Sequence, residues 1–565
     1  MRSILRLVLP LLLATLVRAA PGAGPARWVE VGQFQVGIRS DPFSLEVRSG
    51  SGKTLIGHRD GLTFCRVGQA RETVRTAFGL FAFDEERIWS LSAGTVTATT
   101  PVDGAVSLSV TLGGPSRAGS APEGQLSVKL SSGSAGVLTI SLEAGVTGAN
   151  RLSIAFPSPP DESFLGFGEQ YNRVKSDGRR VPIWVSEQGI GRSDGPIHLP
   201  FSGTTSDTYF PMPWYLSTRG YGFLLDSFAR SVFDLRLQPR TDRVTVEVWD
   251  RRATIRLVDG DSPARILERL TAHVGRPRQL PDWAFGTWLG VQGGPARLKQ
   301  MLAAVRDAGG PVAAVWAQDW VGCRTNPLGY DLKYHWLEDP TLYPDLAGLI
   351  ADLHRQGIRF LGYFNTFVEP LFPEYAEGEA KGHLVRDAAG KVYAPRISTH
   401  PAALVDLSSE PAREWLGSFL KRALRMGMDG WMADFGEWVP FSGRIASPEG
   451  TALFHNRYPV EWARLNRESG LAERPDGDFV IFARSGFVGS ARWLDMVWGG
   501  DQNTSWGDDD GLPTVVPAGL SLGLSGIGIF HFDAGGYTSL ISLPRGAELF
   551  MRWVEAAALS PVLRT

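Results

Sequence analysis

Two patterns of apolar and polar positions divide the chain. From about 28 to 275, apolar residues alternate with polar ones over short runs, clearest at 102–112, 124–142 and 243–257. Period two marks half-buried antiparallel strands, because successive side chains point to opposite faces. Gly, Ser, Pro and Asp separate the runs and supply turns. The pattern predicts a β-sandwich over 21–276, with 113–124 as an exposed loop.

After Arg276 and Pro277 the pattern changes to short continuous apolar runs, each followed by a helical segment. The runs lie at 285–291, 313–317, 358–364, 430–433, 479–482, 496–499 and 527–532; helices are predicted near 295–308, 344–355, 411–427, 459–468 and 543–558. Strands alternating with helices imply a parallel sheet, and this many imply a (β/α)8 barrel over 277–565. Seven strands are counted, and 560–565 would begin the eighth.

Composition narrows the class. Of 565 residues 43% are hydrophobic and 21% charged, which excludes a disordered chain. Lys and Arg number 57 against 59 Asp and Glu, so the basic excess needed to bind nucleic acid is missing. Two cysteines make no disulfide framework, and nine scattered His make no zinc cluster. Residues 1–20 combine two arginines, a short apolar run and small residues at Ala19 and Ala20, which predicts a cleaved secretory signal and a secreted or periplasmic product. Once the leader is removed, no membrane association is expected.

The chemistry lies where the barrel runs end. Asp434, Arg484, Asp501 and Asp533 each follow a different predicted strand, and in a barrel the C-terminal strand ends converge on one face. A lone Asp at a strand end is as often a helix cap, but four strands sharing the pattern argue for an active site. Paired carboxyls without a Ser/His or Cys/His set suit glycoside hydrolysis. A divalent metal held by Asp501 and 508–510 is the weaker reading, since 508–510 reads as a solvated turn; no metal or other cofactor is expected.

Five segments, Trp431 to Glu437, Gly500 to Asn503, His531 to Tyr537, Gly166 to Glu169 and Pro211 to Tyr215, resemble glycoside hydrolase family 31, the retaining α-glucosidase family. Trp288 to Gln292, Trp316 to Trp320 and Asp508 to Leu512 resemble its bacterial sulfoquinovosidase branch. The resemblance implies Asp434 as nucleophile, Asp501 as general acid/base, Arg484 and Asp533 as sugar-hydroxyl ligands, and Glu437 as an orienting residue. It also places Gln292, Gln318, Asp319 and Tyr537 in the substrate pocket.

The resemblance breaks where that branch binds a sulfonate through an Arg and a Trp. Asp331 stands at the Arg position and Tyr334 at the Trp position. A carboxylate there repels a sulfonate and accepts hydroxyls of a neutral hexose. The expected activity is therefore a retaining exo-α-glycosidase acting on α-linked hexosides. Sulfoquinovosides remain an alternative if Arg324 or Lys333 supplies the cation. Family members continue past an Arg-Thr pair with a sugar-contacting His and a C-terminal β domain, whereas this chain ends at Arg564 and Thr565. A sugar-binding protein without turnover is thus a further alternative.

Overall fold

A computed structural model describes residues 26–102, 104–114, 123–194, 202–326, 329–539 and 544–565. The leader at 1–20 and most of the 113–124 loop lie outside the described residues.

The N-terminal part builds a four-stranded antiparallel sheet and a thirteen-stranded one. Alternation does the work expected of it: in Arg243–Val248 the residues Val244, Val246 and Val248 are buried while Arg243, Thr245 and Glu247 face outward. Two stretches read as single alternating runs each divide into two strands, paired as a hairpin in the first and carried to different partners in the second. Residues 124–142 divide into Gly124–Ser134 and Val137–Gly145, reversed at Gly136 with φ +75°. Residues 243–257 divide into Arg243–Val248 and Arg252–Asp259. Both reversals use residues that do not interrupt the alternation strongly, so the pattern runs through them.

The barrel strands are β1 (Thr287–Gly290), β2 (Ala314–Trp316), β3 (Arg359–Phe364), β4 (Gly430–Ala433), β5 (Val480–Ala483), β6 (Met496–Trp498), β7 (Phe530–His531) and β8 (Leu563–Arg564). They pair in parallel in the order β7-β6-β5-β4-β3-β2-β1-β8. A parallel bridge between Asp533 and Arg564, with the Ala534 N–H donating to the Arg564 carbonyl at 2.8 Å, joins the two ends. Strands β4 and β5 are buried at every residue, which is why they read as continuous apolar runs rather than alternating ones.

The five predicted helices form at Gly294–Asp307, Leu346–Arg355, Glu410–Met426, Tyr458–Glu473 and Ala547–Ala557. Val515–Gly523 is a further helix that the periodicity did not mark, because its few polar positions leave no contrasting face. That helix docks the sandwich onto the barrel. The N–H groups of Gly168 and Gln170 donate to the hydroxyls of Ser525 and Ser521 at 2.8 and 2.9 Å. Asn456 adds a second tie, accepting from the Val185 N–H and donating to the Phe228 carbonyl, each at 2.9 Å. The docking places the loop at 184–191 over the strand ends.

Candidate active site

Arg484 follows β5 and is the hub of the site. Its Nε lies 3.2 Å from Asp434 and its Nη1 3.3 Å from Asp501. Its Nη2 reaches Glu187 at 2.9 Å and also binds Glu437. The rings of Tyr209 and Phe435 lie 4.5 Å from the guanidinium carbon. The two aspartates predicted to act as a pair therefore share one guanidinium, although 67 positions separate them in the chain (501 − 434).

Asp434 leaves β4 and is held by two hydrogen-bond donors and an ion pair. Its Oδ2 accepts from the Tyr363 hydroxyl at 2.7 Å, its Oδ1 from the Phe435 N–H at 2.9 Å, and Arg484 supplies the third contact. Phe435 has φ +62°, a left-handed conformation that costs a non-glycine residue about 1–3 kcal/mol. The turn that aims the Asp434 carboxylate is thus strained, and the surrounding aromatic packing with Tyr334, Phe367 and Trp438 holds it.

One guanidinium cannot balance four carboxylates, and the surplus of negative charge raises the pKa of members of the cluster. Burial pushes Asp501 well above the usual carboxylate range; Arg484 opposes this, while Glu187, Asp434 and Asp533 add to it. Glu437, fully buried, is pushed up to about 8, by burial first and then by Glu187 and Asp434, against the pull of Arg484. Its Oε2 has no partner among the described residues. Asp501 is the more accessible of the pair, its side chain 26% exposed against 9% for Asp434. The arrangement sets a tightly held carboxyl, Asp434, beside a more reachable one, Asp501, whose pKa is raised.

On the far side of the barrel mouth, Asp533 accepts from the indole N–H of Trp498 at 2.6 Å and pairs with the buried Arg564 of β8 at 2.5 Å. Tyr537, 6.3 Å ring to ring from Trp498, stands beside it in the field of Asp501 and Asp434 and hydrogen-bonds Gln318. Tyr334 lies in the field of Asp434, Asp331, Tyr537 and Arg484.

Other expected pocket residues sit differently. Gln292 is exposed. Asp319 is fully buried with both carboxylate oxygens in use, accepting from the Gly293 N–H and the Tyr343 hydroxyl, each at 2.7 Å. It braces the loop after β1. Asp331 accepts from Asn326 at 3.0 Å, meets His400 Nδ1 at 3.1 Å and lies 3.6 Å from Arg324. Both cations considered as sulfonate ligands are already paired: Arg324 with Glu369, and Lys333 with Asp339 at 2.6 Å. Asp510 departs from its reading as part of a solvated turn. It is buried, accepts from Gln188 and the Gly191 N–H at 3.1 Å, and is pushed up to about 7 by desolvation.

Sequence reasoning missed Glu187, Tyr209, Tyr363 and Arg564. Tyr363 lies within the predicted third strand run, next to its last residue, so the strand-end rule applied there would have found it. Glu187 and Tyr209 come from loops of the other domain, where no periodicity announces an active-site residue.

Comparison with known proteins agrees with this geometry. Residues 277–565 match the glycosyl hydrolases family 31 TIM-barrel domain, and 17–234 match the glycosyl hydrolase 31 N-terminal galactose mutarotase-like domain. Sulfoquinovosidases from Agrobacterium fabrum and Escherichia coli are 37% and 33% identical over 74% and 78% of the chain. The chain spans 64% and 66% of the lengths of these two curated relatives. The structure of a sulfoquinovosidase from E. rectale superposes with a TM-score of 0.84 at 31% identity, covering 95% of this chain and 78% of that one. The strand-end carboxylates, the eight-stranded barrel and the matched domains lead to one conclusion: the chain belongs to glycoside hydrolase family 31.

Proposed function

We propose that the protein is a retaining exo-α-glycosidase acting on terminal α-linked hexosides by double displacement. The observation that carries this is the shared contact of Asp434 and Asp501 with Arg484, which sets two carboxyls of unlike character around one space. Asp434, fixed by Tyr363, Phe435 and Arg484, attacks the anomeric carbon as Asp501 gives its proton to the leaving oxygen. The glycosyl ester on Asp434 then breaks as Asp501, now a carboxylate, takes a proton from the attacking water. Both catalytic groups end as they began. Asp533 offers its remaining lone pairs to sugar hydroxyls, while Glu437 and Glu187 fix the plane of Arg484. The sandwich loop bearing Glu187 covers one side of the mouth, which suits removal of a terminal residue.

A neutral hexose is favoured because Arg324 and Lys333 are both ion-paired and Asp331 stands beside Arg324. A second reading, cleavage of α-sulfoquinovosides, is supported by the relatives of that name and by Gln318 and Tyr537 at the pocket. Initial rates on 4-nitrophenyl α-glucoside, α-galactoside and α-sulfoquinovoside decide between them. We expect a neutral glycoside to be fastest; a preference for the sulfoquinovoside would replace the first reading with the second. Sugar binding without turnover of any of the three would favour a binding protein. The leader at 1–20 supports export, which N-terminal sequencing of the mature protein tests: a start after Ala19 or Ala20 is expected, and a retained Met1 would contradict it.

A further inference from the structure

The seam between the domains forms a half-open cavity of about 180 Å³, lined by Arg151, Arg230, Trp249 and Arg251 of the sandwich and by Phe441 and Leu453 of the barrel. Arg230 is the unusual member. It is 9% exposed, and its guanidinium carbon lies 4.1 Å from the Phe83 ring centre and 4.2 Å from that of Trp249. Among the described residues no carboxylate pairs with it, and its Nε is sealed from solvent without an acceptor. A guanidinium carries four N–H donors besides Nε, and here they are left for the cavity.

The neighbouring arginines are not in this position. Arg151 lies 3.8 Å from the Trp249 ring centre but pairs with Glu85 at 2.7 Å and Glu72 at 3.2 Å. Arg251 pairs with Glu143 at 2.6 Å. Two carboxylates also line the cavity, Glu72, taken by Arg151, and Asp250, which accepts from the Arg252 N–H at 3.3 Å. Arg151 thus engages two acids and Arg251 one, so among these three arginines Arg230 is the member without a carboxylate in contact. Burial, then Arg180 and Arg151, push its pKa down to about 9 against the weaker pull of Glu247 and Glu85, so the cation persists at neutral pH without a carboxylate in contact. A buried cation without a partner is costly, and an anion supplied from solution relieves that cost.

We propose that this cavity binds a small tetrahedral oxyanion, of phosphate or sulfate type, through the Nη groups of Arg230. The planar fork of a guanidinium matches two oxygens of such an ion. The cavity is well below the roughly 300–1,000 Å³ typical of sites for larger organic ligands, so only a free ion or the charged end of an ester fits. Its barrel wall includes Phe441, four positions after Glu437, so a bound anion would tie the sandwich to the loop that carries part of the active site.

The test is thermal unfolding and calorimetric titration of the full chain at constant ionic strength, with potassium phosphate, potassium sulfate or glucose 6-phosphate replacing potassium chloride. A saturable rise in Tm and a one-site binding isotherm are expected, because only an ion that binds the folded state stabilises it by mass action. Tighter binding of the inorganic ions than of the sugar ester would identify the free ion as the ligand; the reverse would identify an ester group. Arg230→Gln should weaken binding about tenfold or more, and Arg251→Gln should keep it within about threefold. A phosphate response that never saturates, or that Arg230→Gln retains, overturns the proposal. If Arg230→Gln does not fold, Arg230→Lys, which keeps the charge but loses the planar fork, takes its place: weakened binding is expected, and unchanged binding overturns the proposal.

Discussion

Arg484 and Arg324 are both set among carboxylates near the barrel mouth, yet they do opposite jobs. Arg484 contacts four acids, two that follow β4, one that follows β6 and one from a loop of the other domain, and the surplus of negative charge leaves Glu437 and Asp501 with raised pKa values. Arg324 meets Glu369 and Asp331 and also donates to the Leu332 carbonyl at 2.9 Å. The first arrangement is under-neutralised and therefore poised to move a proton. The second is neutralised on the spot and presents no free cation to a substrate. The balance of charge around each arginine, not its presence, separates chemistry from substrate choice.

The contrast can be broken at several points. The largest effect is expected at Asp434→Asn, which removes the nucleophile while keeping the shape of the side chain. Turnover of an aryl α-glycoside should fall by about 10⁴-fold or more, with an unchanged circular dichroism spectrum. Arg324→Gln should leave Glu369, 3% exposed, as an uncompensated buried charge and cost about 3 kcal/mol in urea unfolding with little change in pH profile. A large pH-profile change in that variant would erase the distinction between the two arginines.

Glu187→Gln acts on the poised side. Removing a negative charge that raises Asp501 lowers its pKa, so Asp501 loses its proton at lower pH. The basic limb of kcat/KM should move down in pH, with a loss of about 10- to 100-fold at its optimum. A limb that moved up, or stayed put, would remove Asp501 from the role of acid. The smallest expected effect is in specificity. Asp331→Arg should raise the rate on α-sulfoquinovoside relative to α-glucoside by about tenfold, as a repelling charge becomes an attracting one.

How much of this the sequence disclosed follows from where each residue sits. Barrel strands announce themselves because both faces are buried, so Gly430–Ala433 and Val480–Ala483 are unbroken apolar runs whose ends mark Asp434 and Arg484. The eighth strand was visible only as a remnant at 560–565, yet it delivers Arg564 to Asp533. Period two revealed the sandwich but not the hairpin between 124 and 145, since the reversal at Gly136 hardly disturbs the alternation. Glu187 was invisible for a different reason. It reaches the site because Ser521, Ser525 and Asn456 pin one domain to the other, and such ties depend on tertiary docking that no local pattern encodes. Asp510 was misread likewise: among three aspartates in a row, only the fold decides that the last is buried against Gln188 and Gly191.

The most direct test of the central claim is proton NMR of the sugar first released from an aryl α-glycoside, recorded before mutarotation. Double displacement through Asp434 and Asp501 predicts that the α-anomer appears first and decays toward equilibrium. An initial β-anomer would mean a single inversion by water, and Asp434 would not be the nucleophile.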